Sequence, residues 1–256
     1  NLNFAAVSKR TKLVVTAHDL SFELFPETFS WKRRAWHFLV NFRRLARRAD
    51  LVIAVSQSTK DDIVAQYGIP EPKVTVVRSG IAERFAPLSR NDPGLLAVKE
   101  RYHLPYRFIL SLGTFEPRKN IIALIRAYEA LMDLKYPVLD RYHLVLAGTR
   151  GWKCGDIYQA VAESRYRDRI IMTGFVADQD KPALYNLASV FAYPSLYEGF
   201  GFPPLEAMAC GAPVIVSHAS SLPEVIGDAG IMIDPYRPDE LLRALEEMLC
   251  DQELLQ

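Results

Sequence analysis

Two carboxylates, Glu198 and Glu206, frame a Gly-rich loop and helix start in the run FAYPSLYEGFGFPPLEAMACGAPVIVS, residues 191–217, with seven residues between them. Gly199 and Gly201 lie in the loop, and Pro203-Pro204 follow. Proline suits the first turn of a helix, where its missing N–H would have no partner anyway. A helix is therefore expected from Pro203 to Cys210, stopped at Gly211. The backbone N–H groups left bare around Gly201 and Phe202 favour an anion, as does the helix dipole. A second charged feature, Arg118-Lys119, follows the apolar run RFILSLG that Gly113 closes. A guanidinium fork beside an ammonium point charge is a natural clamp for a diphosphate. His18-Asp19 ends another apolar run, KLVVTA, at the edge where open parallel sheets collect ligands. Taken singly, each feature also has an ordinary reading as solvated glutamates, a solvated Arg-Lys pair or a structural histidine.

The elements that must position these residues read as β-α-β units. Lys12 to Ala17 is a buried parallel-type strand, and Asp19 caps the turn after it. Ala49 to Ser56 is a second strand, Ser56 or Ser58 caps a helix from Thr59 to Tyr67 that Gly68 ends, and Lys73 to Val77 is a third strand. Residues 85–105 turn to Pro, Asp, Asn and Gly, the composition of a crossover between domains. A second series then begins, with strands expected at 107–113, 143–147, 169–176, 190–193 and 212–217 and another after it. Asn120 is expected to cap the helix after the first of these, a short helix runs from Pro182 to Ala188, and Asp239 is expected to cap a final helix over 240–249. Alternating strands and helices predict an α/β, doubly wound parallel sheet.

Composition narrows the function classes. Lys and Arg total 31 against 30 Asp and Glu, a net charge of +1 that gives no global case for nucleic acid. The three cysteines, Cys154, Cys210 and Cys250, form no C-x-x-C, so neither a disulfide framework nor a zinc site is suggested, and a reducing, cytoplasmic compartment fits. No apolar run approaches the roughly 20 residues that span a bilayer, and no signal-peptide pattern opens the chain.

The run YPSLYEGFGFPPLEAMACGAPVI, residues 193–215, resembles the donor-site signature of retaining group 1 (family 4) glycosyltransferases, the family of sucrose synthases and bacterial mannosyltransferases. GTFEPRKN, residues 113–120, resembles that family's diphosphate loop, and VVTAHDLSF, residues 14–22, its N-terminal domain. The resemblance implies a GT-B architecture: two Rossmann-like doubly wound parallel-sheet domains facing a cleft, the N-terminal one partial. It divides the chain into an acceptor-side domain over 1–87, a linker over 88–105 and a nucleotide-sugar donor domain over 106–256. It further implies that Glu198 orients the donor sugar, Glu206 holds the ribose diol, and His18 lies against the sugar. Arg118, Lys119, Gly113, Gly201 and Phe202 would receive the diphosphate, and Phe175 and Val176 the base. The implied enzyme is a retaining hexosyltransferase using front-face attack. It has no cofactor beyond its nucleotide-sugar substrate, for which GDP-mannose is the suggested donor, and no metal, the sequence being read as free of a D-x-D metal motif. The acceptor is a saccharide or a lipid-linked saccharide of polysaccharide, glycolipid or lipopolysaccharide assembly.

Alternatives within the same architecture are a sugar-nucleotide epimerase or a phosphorylase, and outside catalysis a nucleotide-sugar binding module. Family members begin with further residues, including a glycine-rich loop, and end with a returning helix, so the chain is expected to be truncated at both ends. Residues 31–49 carry Lys32, Arg33, Arg34, Arg43, Arg44, Arg47 and Arg48 with Trp36, Phe38, Leu39 and Phe42 interleaved. Two readings stand for this helix-length segment. It packs on the N-terminal sheet with a basic outer face, or it rests on anionic lipid at the cytoplasmic face of the inner membrane.

Overall fold

The computed structural model describes residues 11–250; the outermost parts of the expected first and second domains, 1–10 and 251–256, lie outside the described residues. Among the described residues nine strands run β1 (Val14–Ala17), β2 (Leu51–Ala54), β3 (Val74–Val76), β4 (Arg107–Leu112), β5 (Tyr142–Ala147), β6 (Ile170–Gly174), β7 (Val190–Tyr193), β8 (Val214–Ser217) and β9 (Ile231–Ile233). The helices between them are α1 (Ser21–Leu24), α2 (Trp31–Val40), α3 (Phe42–Arg48), α4 (Gln57–Tyr67), α5 (Pro93–Arg101), α6 (Ile121–Asp133), α7 (Gly155–Glu163), α8 (Lys181–Leu187), α9 (Phe202–Ala209), α10 (Leu222–Ile226) and α11 (Pro238–Cys250).

Two parallel sheets result. One has three strands in the order β1-β2-β3, the other six in the order β6-β5-β4-β7-β8-β9. In the larger sheet the chain winds outward from β4 to one edge, returns, and winds outward from β7 to the other. β4 and β7 are hydrogen-bonded neighbours, with Ile109 opposite Val190 and Leu110 opposite Phe191. That junction is the topological switch point, beyond whose carboxyl edge open α/β sheets bind ligands.

The strand sequences explain why this sheet is covered on both faces. Along β5, Leu144 and Leu146 join one apolar cluster with α6, α7 and α11. Val145 and Ala147 join another with α5, α8 and α9. Alternate side chains of a strand point to opposite faces, so a continuous apolar run needs a helical layer on each. The stretch 88–105, expected to be a linker, lays Leu95, Val98 and Leu104 into the second of these clusters.

The smaller sheet differs. Val15, Ala17, Val52, Ala54 and Val74 pack with Phe42, Ala46, Ile63 and Tyr67 on one face, while Val14 is 53% exposed on the other. The segment 31–49 is not one helix. Asn41 sits in the left-handed region at φ 44 and ends α2, and its side chain accepts a hydrogen bond from the Arg44 N–H (2.9 Å) to start α3. α3 buries Phe42 and Ala46, whereas α2 buries nothing fully.

Two expected caps are corrected. Asn120 has φ 54 and turns its amide to the Pro235 carbonyl (3.0 Å), so it does not cap α6 through its side chain. Asp239 lies inside α11, which begins at Pro238, and pairs with Arg243 (3.1 Å). Ser56 does cap α4, accepting from the Thr59 N–H at 3.0 Å, and Asp19 accepts from the Ser21 N–H at 2.9 Å and its hydroxyl at 2.6 Å.

Candidate active site

The loops after β4 and β7 leave the switch point side by side and are tied together: the Leu196 N–H donates to the Arg118 carbonyl at 2.8 Å, and Ser195 Oγ lies 3.1 Å from the same carbonyl. A short 3-10 turn, Pro117–Lys119, presents the two cations. The loop after β7 turns Glu198 back toward them. One Glu198 oxygen accepts from Lys119 Nζ (2.6 Å), Ser195 Oγ (2.6 Å) and the Tyr193 hydroxyl (3.0 Å); the other lies 2.9 Å from Arg118 Nη1. Arg118 is held in turn by Glu116, 2.6 Å from its Nη2, and by the Tyr197 carbonyl.

Glu116 is 2% and Glu198 8% exposed, so four charges occupy a nearly dry site. Charges taken from water persist only when paired and hydrogen-bonded, and here two of each sign neutralise one another. Burial pushes the Glu198 carboxyl up, but Lys119 and Arg118 overcome it and hold it down at about 2, with help from the Ser195 hydroxyl. Glu198 is an anion throughout the physiological range. Glu206 lies on α9 against α8, where burial raises its carboxyl and the Tyr185 hydroxyl donates to it at 2.9 Å.

A cleft of about 510 Å³ opens over this cluster. Its walls bring together His18, Gly113, Arg118, Lys119, Glu198, Gly201 and Phe202. Glu206, Phe175 and Val176 are not among its lining residues; Val176 is packed in the core and Phe175 is 69% exposed. α9 begins at Phe202 with Gly201 before it at φ 110, and Pro203-Pro204 carry no N–H. The amides of 201 and 202 are thus the donors at that helix start. Gly199 marks the meeting of the two sheets. A Cβ there would fall 1.8 Å from the His18 carbonyl oxygen, so only glycine permits the approach.

A D-x-D triplet is present after all: Asp178-Gln179-Asp180. Asp178 pairs with Lys181 at 2.6 Å, and Asp180 accepts from Arg101 at 2.6 Å and Tyr102 at 2.7 Å. No group of three or more His, Cys, Asp or Glu side chains among the described residues is arranged to hold a metal ion.

The comparison with known families decides what this arrangement belongs to. The model for "Glycosyl transferases group 1" matches residues 98–256, and that for "Glycosyltransferase Family 4" matches residues 2–84. The chain belongs to the group 1 glycosyltransferases. Within them it is 39% identical over 243 residues to the serotype-specific mannosyltransferase WbdA of Escherichia coli, covering 94% of this chain and 29% of that protein. It is 36% identical over 251 residues to the O-antigen chain mannosyltransferase B of Escherichia coli, covering 97% of this chain and 64% of that one. The chain therefore spans less than two thirds of either relative. Among solved structures it resembles HepE of Anabaena in complex with UDP and glucose, with a TM-score of 0.78 at 24% identity over 96% of this chain and 64% of that one. It also resembles WaaG, a glycosyltransferase involved in lipopolysaccharide biosynthesis, with a TM-score of 0.74 at 16% identity over 94% of this chain and 67% of that one. The fold is GT-B.

Three members of the buried cluster, Glu116, Tyr193 and Ser195, were not singled out in the sequence. Glu116 could have been: an acid two residues before a cation at a strand's carboxyl edge is a natural counter-charge for it.

Proposed function

We propose that this glycosyltransferase moves a sugar from a nucleoside-diphosphate sugar to a saccharide or lipid-linked acceptor with retention of configuration, mannose from GDP-mannose being the favoured donor. The observation that carries this is the buried Lys119–Glu198–Arg118 cluster at the switch point, facing a cleft whose opposite wall holds His18. As the anomeric C–O bond breaks, negative charge grows on the departing diphosphate. Lys119, Arg118 and the amides of Gly201 and Phe202 are fixed beforehand to meet it, which is the efficient form of electrostatic catalysis. Glu198 orients the sugar through its hydroxyls and His18 lies against it. Glu206 serves the ribose, and the loop at Phe175-Val176 serves the base. The acceptor oxygen bonds to the anomeric carbon on the face the diphosphate leaves, and its proton passes to a phosphate oxygen of that leaving group. On this reading the reaction needs no metal ion. Residues 1–87 form the acceptor side and 106–256 the donor side.

Support for a lipid-borne acceptor comes from α2, where Trp31 (74%), Phe38 (83%) and Leu39 (68%) are exposed among Lys32, Arg33 and Arg34, the pattern of an interfacial helix. No helix among the described residues is long and apolar enough to cross a membrane.

The test is a panel of nucleoside diphosphates and their sugars, read by thermal stabilisation and by release of nucleoside diphosphate, with the product's anomeric proton followed by NMR. Stabilisation by one nucleotide and an axial product in the presence of chelator are expected. An inverted product removes the front-face mechanism, loss of rate with chelator removes metal independence, and no stabilisation by any nucleotide removes the donor site.

A further inference from the structure

The side chain of Glu198 is gripped by Lys119, Arg118, Ser195 and Tyr193, but its Cα rides on a loop, residues 194–201, with no regular secondary structure. Glycines at 199 and 201 leave that backbone more freedom than any other residue would. Buried main-chain polar groups must be paired, and here no strand ladder or helical turn supplies the partners. Those of Glu198 are met by two consecutive serines that follow β8. The Glu198 N–H donates to Ser220 Oγ at 2.7 Å. Ser221 Oγ lies 3.0 Å from the Glu198 carbonyl oxygen and 2.7 Å from that of Phe200, its single proton shared between them.

Both serines forgo what their positions would ordinarily favour. Ser220 holds φ 51, in the left-handed region that glycine occupies freely and serine only at a penalty. Strain of this kind clusters at functional sites, where the surroundings over-determine the residue. Glycine would relieve it but would offer no oxygen to the Glu198 N–H. Ser221 stands at the N-cap of α10, where a serine hydroxyl normally accepts from the first N–H groups of its own helix. It makes no such bond. It is 0% exposed and turns its hydroxyl to the Glu198 loop instead.

We infer that Ser220 is a positioning residue for Glu198, with Ser221 bracing the same residue at its carbonyl: together they fix where the carboxylate stands against the donor sugar. The inference rests on the reading above that Glu198 orients that sugar. It extends the donor site to a pair of residues that do not line the cleft. A displacement of about 1 Å in such a group is enough to spoil its alignment with a ligand.

The test is a double-substitution cycle on the full chain: the parent, Ser220→Gly, Glu198→Ala and the two combined. Each is titrated calorimetrically with GDP and GDP-mannose, or with UDP and UDP-glucose where UDP is the nucleotide that stabilises the protein. In Ser220→Gly the release of strain offsets the lost acceptor, so its thermal midpoint is expected within about 4 °C of the parent. The variant should bind the sugar nucleotide about tenfold more weakly and the bare nucleotide unchanged. Ser220→Ala keeps the strain and loses the oxygen; it should show the same affinities with a lower midpoint. These comparisons need no change to the buried charges. In the Glu198→Ala background, Ser220→Gly should alter neither affinity, since no carboxylate is left to place. A loss that persists in that background, or that falls equally on the bare nucleotide, makes Ser220 a mere support of the loop and overturns the proposal. Ser220 variants that bind like the parent overturn it too. Failure of the underlying reading shows differently: Glu198→Ala would itself bind the sugar nucleotide like the parent, or no nucleotide would stabilise the chain.

Discussion

The two sheets place their charges in opposite ways. The six-stranded sheet is sealed on both faces and keeps Glu116, Arg118, Lys119 and Glu198 inside, each matched by a partner of opposite sign. The three-stranded sheet is sealed on one face, and the cations of α2 stand in water beside exposed Trp31 and Phe38. A buried, mutually neutralised cluster is rigid and can act on a ligand without reorganising. An exposed basic surface with aromatic neighbours adapts to a large partner and loses much of its field to salt. On the proposed function, the donor is read by the preorganised half and the acceptor by the adaptable half.

The sharpest way to break this contrast is to delete one residue from each side of the same cleft. Glu198→Ala leaves Lys119 buried without its counter-charge and Arg118 with Glu116 alone. It should cost about 3–5 kcal/mol of stability and lower turnover by about a thousandfold or more. His18→Ala, across the cleft, should lower turnover about a hundredfold with stability changed by less than about 0.5 kcal/mol. Chemical denaturation and initial rates on the same preparations decide it. Equal destabilisation by the two variants would show that the halves are not built differently.

Acid should act through the same cluster. Glu198 sits at about 2 in the fold against an ordinary 4.5, so protons bind the unfolded chain more readily. Its contribution is complete above pH 4.5 and is lost as pH falls toward 2, a decline on the order of 3 kcal/mol. Glu198→Gln should flatten that part of the stability–pH curve. A curve unchanged by the substitution would mean that Glu198 is not ionised against its two cations.

How much of this was legible beforehand follows the same division. The six-stranded sheet announced itself because strands buried on both faces read as unbroken apolar runs, with punctuation at Gly113, Gly148 and Gly211. Lys119 and Glu198 could be paired because a shared sheet edge brings their loops together. Glu116, Ser195 and Tyr193 escaped because nothing in their spacing distinguishes a residue that braces a charge from an ordinary loop residue. In residues 31–49 the composition of basic and aromatic side chains was plain, but the break was missed. Asn41 had the right identity for a left-handed stop, yet the apolar residues continue past it and mask the change of axis. The D-x-D triplet, contrary to the expectation that the sequence holds none, has its carboxylates engaged by Lys181, Arg101 and Tyr102.

Glu116 sharpens the comparison within the buried half. It meets Nη2 of Arg118, whereas Glu198 meets Nη1. Glu116→Gln keeps the shape and one acceptor while removing a buried negative charge, and should cost about 1–3 kcal/mol. As a positioning residue it should lower kcat more than it raises the donor KM, because a loosened Arg118 meets the transition state less well than the ground state. A pure rise in KM would instead place Arg118 in ground-state binding.

The smallest effect is expected where the two halves touch. α4 belongs to the three-stranded sheet, yet its first N–H groups are met from the other side. Glu224 of α10 accepts from Gln57 N–H and Ser58 N–H, both at 3.0 Å, with Arg78 3.5 Å away. Nearby, the Thr59 hydroxyl donates to the Gly199 carbonyl at 3.1 Å, and the Tyr197 hydroxyl to Asp62 at 2.6 Å. A carboxylate at a helix N-terminus satisfies orphan donors and complements the dipole, so Glu224→Gln should cost only about 1 kcal/mol. Its informative consequence is local: faster amide hydrogen exchange at 57–59 with no change in β4, β5 or β7, since those strands are held by contacts inside the larger sheet. Exchange at 57–59 that matches the parent would mean that the Glu224 contact does not hold the halves together in solution, and the junction would then rest on its other contacts, among them those of Tyr197 and Gly199 and that of Trp152 with the Thr28 carbonyl.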